Sequence, residues 1–152
     1  MDMISLTEFL KKEACNSPVL HRHSAAIIYK NQIMTSGHNR YIKKVLLEGG
    51  DFGHKTMHAE LSAALKIKSS IQKMQGNVDI IVIRINKKME LKNSRPCNNC
   101  IEKLKSIGIR RVYYSNEFGA IVREDIDTME KIHISYGSKF WLTIAGRPMP
   151  VS

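Results

Sequence analysis

Two short motifs, His58-Ala59-Glu60 and Pro96-Cys97-Asn98-Asn99-Cys100, lie far apart in the chain and act together only if the fold joins them. Between them they offer one imidazole and two thiols as soft ligands, with a carboxylate to spare. Cys97 and Cys100 stand at i and i+3, so on a helix their sulfurs share a face and can grip one ion. Three protein ligands suit a zinc ion with one coordination position open to water, whereas structural zinc normally takes four protein ligands. Water at such an ion supplies hydroxide near neutral pH. Glu60, two residues from His58, is placed to move its protons. The pattern reads as metal-assisted hydrolysis.

A Cys-x-x-Cys pair has other uses. A zinc ribbon needs a second pair, and of the 3 cysteines only Cys15 remains. A thioredoxin-type redox motif sits after the first strand of its domain, whereas this pair follows several elements. His58 as a third ligand favours catalytic zinc over both.

The remaining pattern gives the scaffold. Ser5-Leu6-Thr7-Glu8 reads as a capping box, with Ile4 and Phe9 as a hydrophobic staple, for a helix from about Leu6 to Ala14. Residues 24–30 and 33–36 read as a hairpin around Asn31-Gln32. Residues 37–56 show no clear periodicity and read as a loop, of a length that is usually functional or mobile. Met57, Leu61, Ala64 and Leu65 recur as one face of a helix. Val78 to Ile85 reads as a central strand buried on both faces. Pro96 opens a helix whose apolar positions Ile101, Leu104 and Ile107 run to a stop at Gly108. Ile109 to Ser115 makes a strand, 116–119 a turn, Ala120 to Glu124 a strand running back beside it, and Ile126 to Ile132 a short helix. The last twenty residues, with Phe140 and Trp141, carry no assignable pattern. Alternating strands and helices give an α/β class and place both motifs at helix N-termini, where partial positive charge and free amides stabilise thiolates and oxyanions.

At 152 residues the chain suits one domain, 1–152, with the motif-bearing core at about 24–125. No apolar run reaches the roughly 18–20 residues of a membrane span. The N-terminus lacks the features of a secretory signal, and the few cysteines argue against a disulfide framework, so a cytoplasmic, membrane-free location is expected. The net charge of +10 and pI near 9.7 favour phosphate-bearing partners, nucleotides or nucleic acid. Abundant lysine, isoleucine and asparagine give the same balance without any partner.

His-x-Glu followed by Pro-Cys-x-x-Cys is the pattern of the zinc-dependent nucleobase deaminases, in which the glutamate shuttles protons and is not a ligand. From about Ser24 to Asn116 the chain resembles the cytidine and deoxycytidylate deaminase superfamily. Ser36-Gly37-His38-Asn39 is similar to the family's small-Gly-x-Asn segment. Thr56-Met57-His58-Ala59-Glu60-Leu61 and Ile107-Gly108-Ile109-Arg110-Arg111-Val112-Tyr113 fit its usual context. The resemblance implies a three-layer α/β/α sandwich around a mixed, roughly five-stranded sheet, and a homo-oligomer. It implies Zn2+ held by His58, Cys97 and Cys100, with Glu60 as the proton shuttle. The Ala59 amide would bind the pyrimidine carbonyl and the Asn39 side chain the sugar or base. Arg95, just before Pro96, would overlook the pocket.

The reaction expected is hydrolytic deamination of a cytosine base in a small nucleoside or nucleotide, with purines not excluded. The rivals are a polynucleotide deaminase acting on single-stranded DNA or RNA, and a non-catalytic zinc-stabilised nucleotide-binding module. Arg40, Lys43, Lys44, His54 and Lys55 cluster before the histidine motif, where a phosphate could lie. In the family's free-nucleoside branch the last two strands are antiparallel, which the short turn at 116–119 favours. The nucleoside enzymes usually carry a glutamate for a ribose hydroxyl two residues after the asparagine, and here Tyr41 stands there. His21-Arg22-His23 is read as solvated or core-edge, in preference to a second metal site.

Overall fold

The computed structural model describes residues 2–46, 52–74, 76–129, 143–144 and 147–148, of which 43–46, 52–55, 143–144 and 147–148 are described by backbone alone. Helix α1 (Met3–Ala14) leads into a hairpin of β1 (Arg22–Tyr29) and β2 (Gln32–His38). A second hairpin follows, β3 (Arg40–Leu46) and β4 (Phe52–Met57), and then helices α2 (Ala59–Leu65) and α3 (Lys68–Gln72). Strand β5 (Val78–Ile85), the short β6 (Leu91–Lys92), helix α4 (Asn98–Ile107), β7 (Ile109–Ser115) and β8 (Ile121–Asp125) complete the core. Thr143–Ile144 and Arg147–Pro148 form a separate antiparallel pair.

The main sheet runs β2-β1-β5-β7-β8, with β6 paired to β5 beyond the end of β7. Only the β5–β7 pair is parallel, so the sheet is mixed. Alternation along β5 separates two cores, because successive side chains point to opposite faces. Val78, Ile80 and Val82 pack with α2, α3 and α4, whereas Ile81, Ile83 and Ile85 pack with Leu6, Leu10 and Ala14 of α1. Helices on both faces make the three-layer α/β/α sandwich expected. Among the described residues no helix is long and apolar enough to cross a membrane.

Several local expectations need correction. The cap of α1 is Asp2, whose Oδ1 accepts the Ser5 amide at 2.7 Å, so the helix starts a turn earlier than the Ser5–Glu8 capping box would place it. Ile4 then lies inside the helix and is 78% exposed, too far into solvent to staple Phe9. The first hairpin turns at Lys30-Asn31, both in the left-handed region (φ 50° and 65°), one residue before the expected turn. The described residues of 37–56 are mostly strand. Strand β2 continues to His38 and the β3–β4 hairpin follows, joined from Arg40↔Met57 to Leu46↔Phe52. Among the described residues that hairpin forms its own two-stranded sheet, apart from the main one. The final helix shrinks to a single 3-10 turn, Ile126–Thr128, and residues 130–132 and most of the last twenty lie outside the described residues.

Helix α2 also buries a different face from the one expected. Its buried residues are Ala59, Glu60, Ser62, Ala63 and Ala64, while Leu65 is exposed. Small residues win because α2 lies close against β2. A methyl group at Gly37 would sit 2.7 Å from Ser62 Oγ and 3.0 Å from the Ala63 amide nitrogen. Gly37→Ala is therefore expected to cost about 1–3 kcal/mol in urea denaturation. Helix α2 would shift, and a displaced catalytic group costs up to about 10²-fold in rate.

Candidate active site

His58 caps the N-terminus of α2 directly after β4, and Cys97 caps that of α4; neither makes a side-chain capping hydrogen bond. Both side chains are thus free to turn toward the gap between the helices. The Cys97 segment is fastened by Ser94, whose hydroxyl donates to the Val82 carbonyl at 2.8 Å and whose amide donates to the Ser115 carbonyl at 2.8 Å. That buried clasp ties the 93–97 linker to the ends of β5 and β7.

The result is one cluster. His58 Nδ1 stands 3.1 Å from Cys100 Sγ and 3.8 Å from Cys97 Sγ, and the three ligand atoms lie within 4.8 Å of one another. Zinc–nitrogen and zinc–sulfur bonds of about 2.0–2.3 Å in tetrahedral geometry hold neighbouring ligand atoms about 3.5 Å apart, so the donor set fits zinc. Cys100 is buried, and burial, together with the charges of Glu60 and Cys97, pushes its thiol far above the ordinary range. A divalent cation offsets that cost by stabilising the thiolate.

Glu60 lies beside this cluster, 4% exposed. Burial holds its carboxyl above the usual range, opposed by its own backbone amide, His58 and a hydrogen bond with Cys100. A pocket of about 280 Å³ opens onto it, lined by Val19, His21, His23, Asn39, Thr56, His58, Ala59, Glu60, Ser94, Arg95 and Cys97. Every site residue anticipated from sequence lines this pocket except Cys100, which lies behind it in the donor cluster.

Two of them also bond to the protein itself. The Asn39 amide is already engaged by the protein. Its Oδ1 accepts from Ser17 Oγ at 2.6 Å and the His23 amide at 2.9 Å, and its Nδ2 donates to the His21 carbonyl at 2.7 Å. Asn39 thus pins the strand entering β1 and is buried in doing so. Asn39→Ala strands the His23 amide and His21 carbonyl, and is expected to lower unfolding stability by about 2–3 kcal/mol. A urea midpoint within error of wild type would refute this role. Arg95 reaches Glu124 of β8 through Nε at 3.2 Å, and the same carboxylate oxygen accepts the Tyr114 hydroxyl. Burial, then Glu124, raises the Tyr114 phenol to about 12, so it stays protonated as a donor.

His21 and His23 also line the pocket, a role the sequence reading did not give them. Of the basic residues before His58, Arg40 directs Nη2 to Met57 Sδ at 3.7 Å. The side chains of Lys43, Lys44, His54 and Lys55 lie outside the described residues.

The sequence profile of the cytidine and deoxycytidylate deaminase zinc-binding region matches residues 3–116. The chain belongs to this family. Among solved structures, a cytidine deaminase from Burkholderia pseudomallei superposes with a TM-score of 0.58 at 16% identity, covering 83% of this chain and 94% of that one. The dCMP deaminase of cyanophage S-TIM5, in complex with dCMP and dUMP, superposes with a TM-score of 0.50 at 20% identity, covering 77% of this chain and 85% of that one. At these identities the likeness establishes the deaminase fold. No curated protein matches the chain in sequence. The matched region includes His58, Cys97 and Cys100.

Proposed function

We propose that this chain is a zinc-dependent hydrolase that deaminates the cytosine base of a small nucleoside or nucleotide, giving the uracil product and ammonia. The observation that carries this reading is the burial of Glu60 in the same pocket as the donor cluster. A purely structural metal has no use for a buried carboxylate beside it, and burying one without a function is costly.

His58, Cys97 and Cys100 would hold the ion, which when bound makes water a nucleophile near neutral pH. Glu60 takes the proton from that water. It would pass that proton to N3 as the water oxygen bonds to C4, then take the proton of the new C4 hydroxyl and pass it to the amine as the C4–N bond breaks. The Ala59 amide, at the first position of α2 and lining the pocket, would donate to the pyrimidine carbonyl. Arg95, held by Glu124, leans over the pocket as the cation for the outer part of the substrate.

Antiparallel pairing of β7 and β8, from Arg111↔Asp125 to Ser115↔Ile121, supports the free-nucleoside arrangement. Tyr41, 45% exposed where nucleoside enzymes carry an acidic residue, is absent from the pocket lining and leaves room for a nucleotide. Ammonia release should be measured on cytidine, deoxycytidine and their monophosphates against cytosine-containing oligonucleotides. Turnover of the small substrates is expected. Turnover confined to oligonucleotides would replace this reading with polynucleotide deamination, and zinc binding without turnover would leave only a binding module.

A further inference from the structure

The hydrogen bonds around His21 and His23 fix which ring nitrogens carry protons. Arg84 directs Nη2 to His21 Nδ1 at 2.8 Å. A guanidinium only donates, so His21 Nδ1 is the acceptor and the neutral ring carries its proton on Nε2. His23 shows the opposite arrangement. Its Nδ1 lies 2.9 Å from the His21 carbonyl, which only accepts, so Nδ1 carries the proton and Nε2 is bare. Burial lowers the His23 pKa, opposed by the hydrogen bond to the His21 carbonyl.

Among the described residues neither Nε2 has a hydrogen-bond partner, and both rings line the pocket that contains Glu60. The lining therefore presents one donor, His21 Nε2–H, and one lone pair, His23 Nε2. Asn39 holds the backbone of both residues in place through the bonds to the His21 carbonyl and the His23 amide. A phosphate oxygen finds only one useful group here, because the bare nitrogen repels it. A hydroxyl uses both groups, donating to one ring and accepting from the other. We infer that His23, supported by His21, is the specificity-determining contact for a sugar hydroxyl of the substrate. This inference rests on the proposed deamination and supplies an acceptor in a chain that carries Tyr41 where nucleoside enzymes usually carry a glutamate.

Asparagine and glutamine at position 23 separate recognition from structure. In His23→Asn the side-chain amide can still donate to the His21 carbonyl, but the acceptor at the Nε2 position is gone. In His23→Gln an amide oxygen reaches that position. Rates should be compared on cytidine, 2′-deoxycytidine, 3′-deoxycytidine and 2′,3′-dideoxycytidine, with melting temperature and zinc content as controls. Wild type should prefer at least one hydroxyl-bearing substrate over the dideoxy analogue by about tenfold or more in kcat/KM. His23→Asn should reduce that preference to within about twofold, mainly through KM on the hydroxyl-bearing substrate, and His23→Gln should restore part of it. An undiminished preference in His23→Asn, or a wild type indifferent to the hydroxyls, overturns the inference and leaves the deaminase reading intact. A wild type that deaminates no cytosine nucleoside or nucleotide overturns both.

Discussion

Glu60→Gln is expected to lower kcat by about 10²–10⁴-fold, the usual contribution of a positioned acid–base group. Zinc content and melting temperature should hold at or above wild-type values. Glutamine matches the volume of the carboxylate and removes a charge that is expensive to bury, so folding loses nothing. The amide cannot take a proton from water or hand one to the ring, so both halves of the reaction fail together. Metal analysis by mass spectrometry and single-turnover ammonia release check this directly. A rate within tenfold of wild type, with zinc retained, would remove Glu60 from the mechanism.

Cys100→Ala should have the other large effect, by a different route. Cys100 is the buried member of the donor cluster, 3.1 Å from His58 Nδ1. Even changes to residues that only hydrogen-bond a ligand weaken metal binding by about 10–100-fold, so losing a direct ligand should exceed that range. The wild-type fold should also be stabilised by zinc, by about 2.7 kcal/mol when the ion stands at a hundred times its dissociation constant. In Cys100→Ala that dependence should vanish. Thermal melts with added zinc and with a chelator make the comparison. If the variant still melted higher with zinc, the ion would be held by other residues.

The sequence exposed those parts of the fold that meet the core on one defined face. Strand β5 was legible because it is buried on both sides. Helix α4 was legible because Ile101, Leu104 and Ile107 line a single stripe and Gly108 ends it at φ 116°, where other residues are strained. The antiparallel return of β8 followed from the short turn before it. The β3–β4 hairpin escaped because residues 37–56 carry no periodicity, and among the described residues it forms a sheet of its own. The buried stripe of α2 escaped because tight approach to Gly37 selects alanine and serine, which carry little hydrophobic signal. In the site, the cluster of His58, Cys97 and Cys100 was readable from spacing alone. The lining by His21 and His23 was not, since their place depends on how Asn39 ties the chain from a distant strand.

Glu124 gathers Arg95 and Tyr114 onto one carboxylate, so the outermost strand of the sheet governs a guanidinium at the mouth of the pocket. A change on β8, a strand that contributes no residue to the donor cluster, can therefore move a cation lining the pocket while leaving the three ligand atoms where they are.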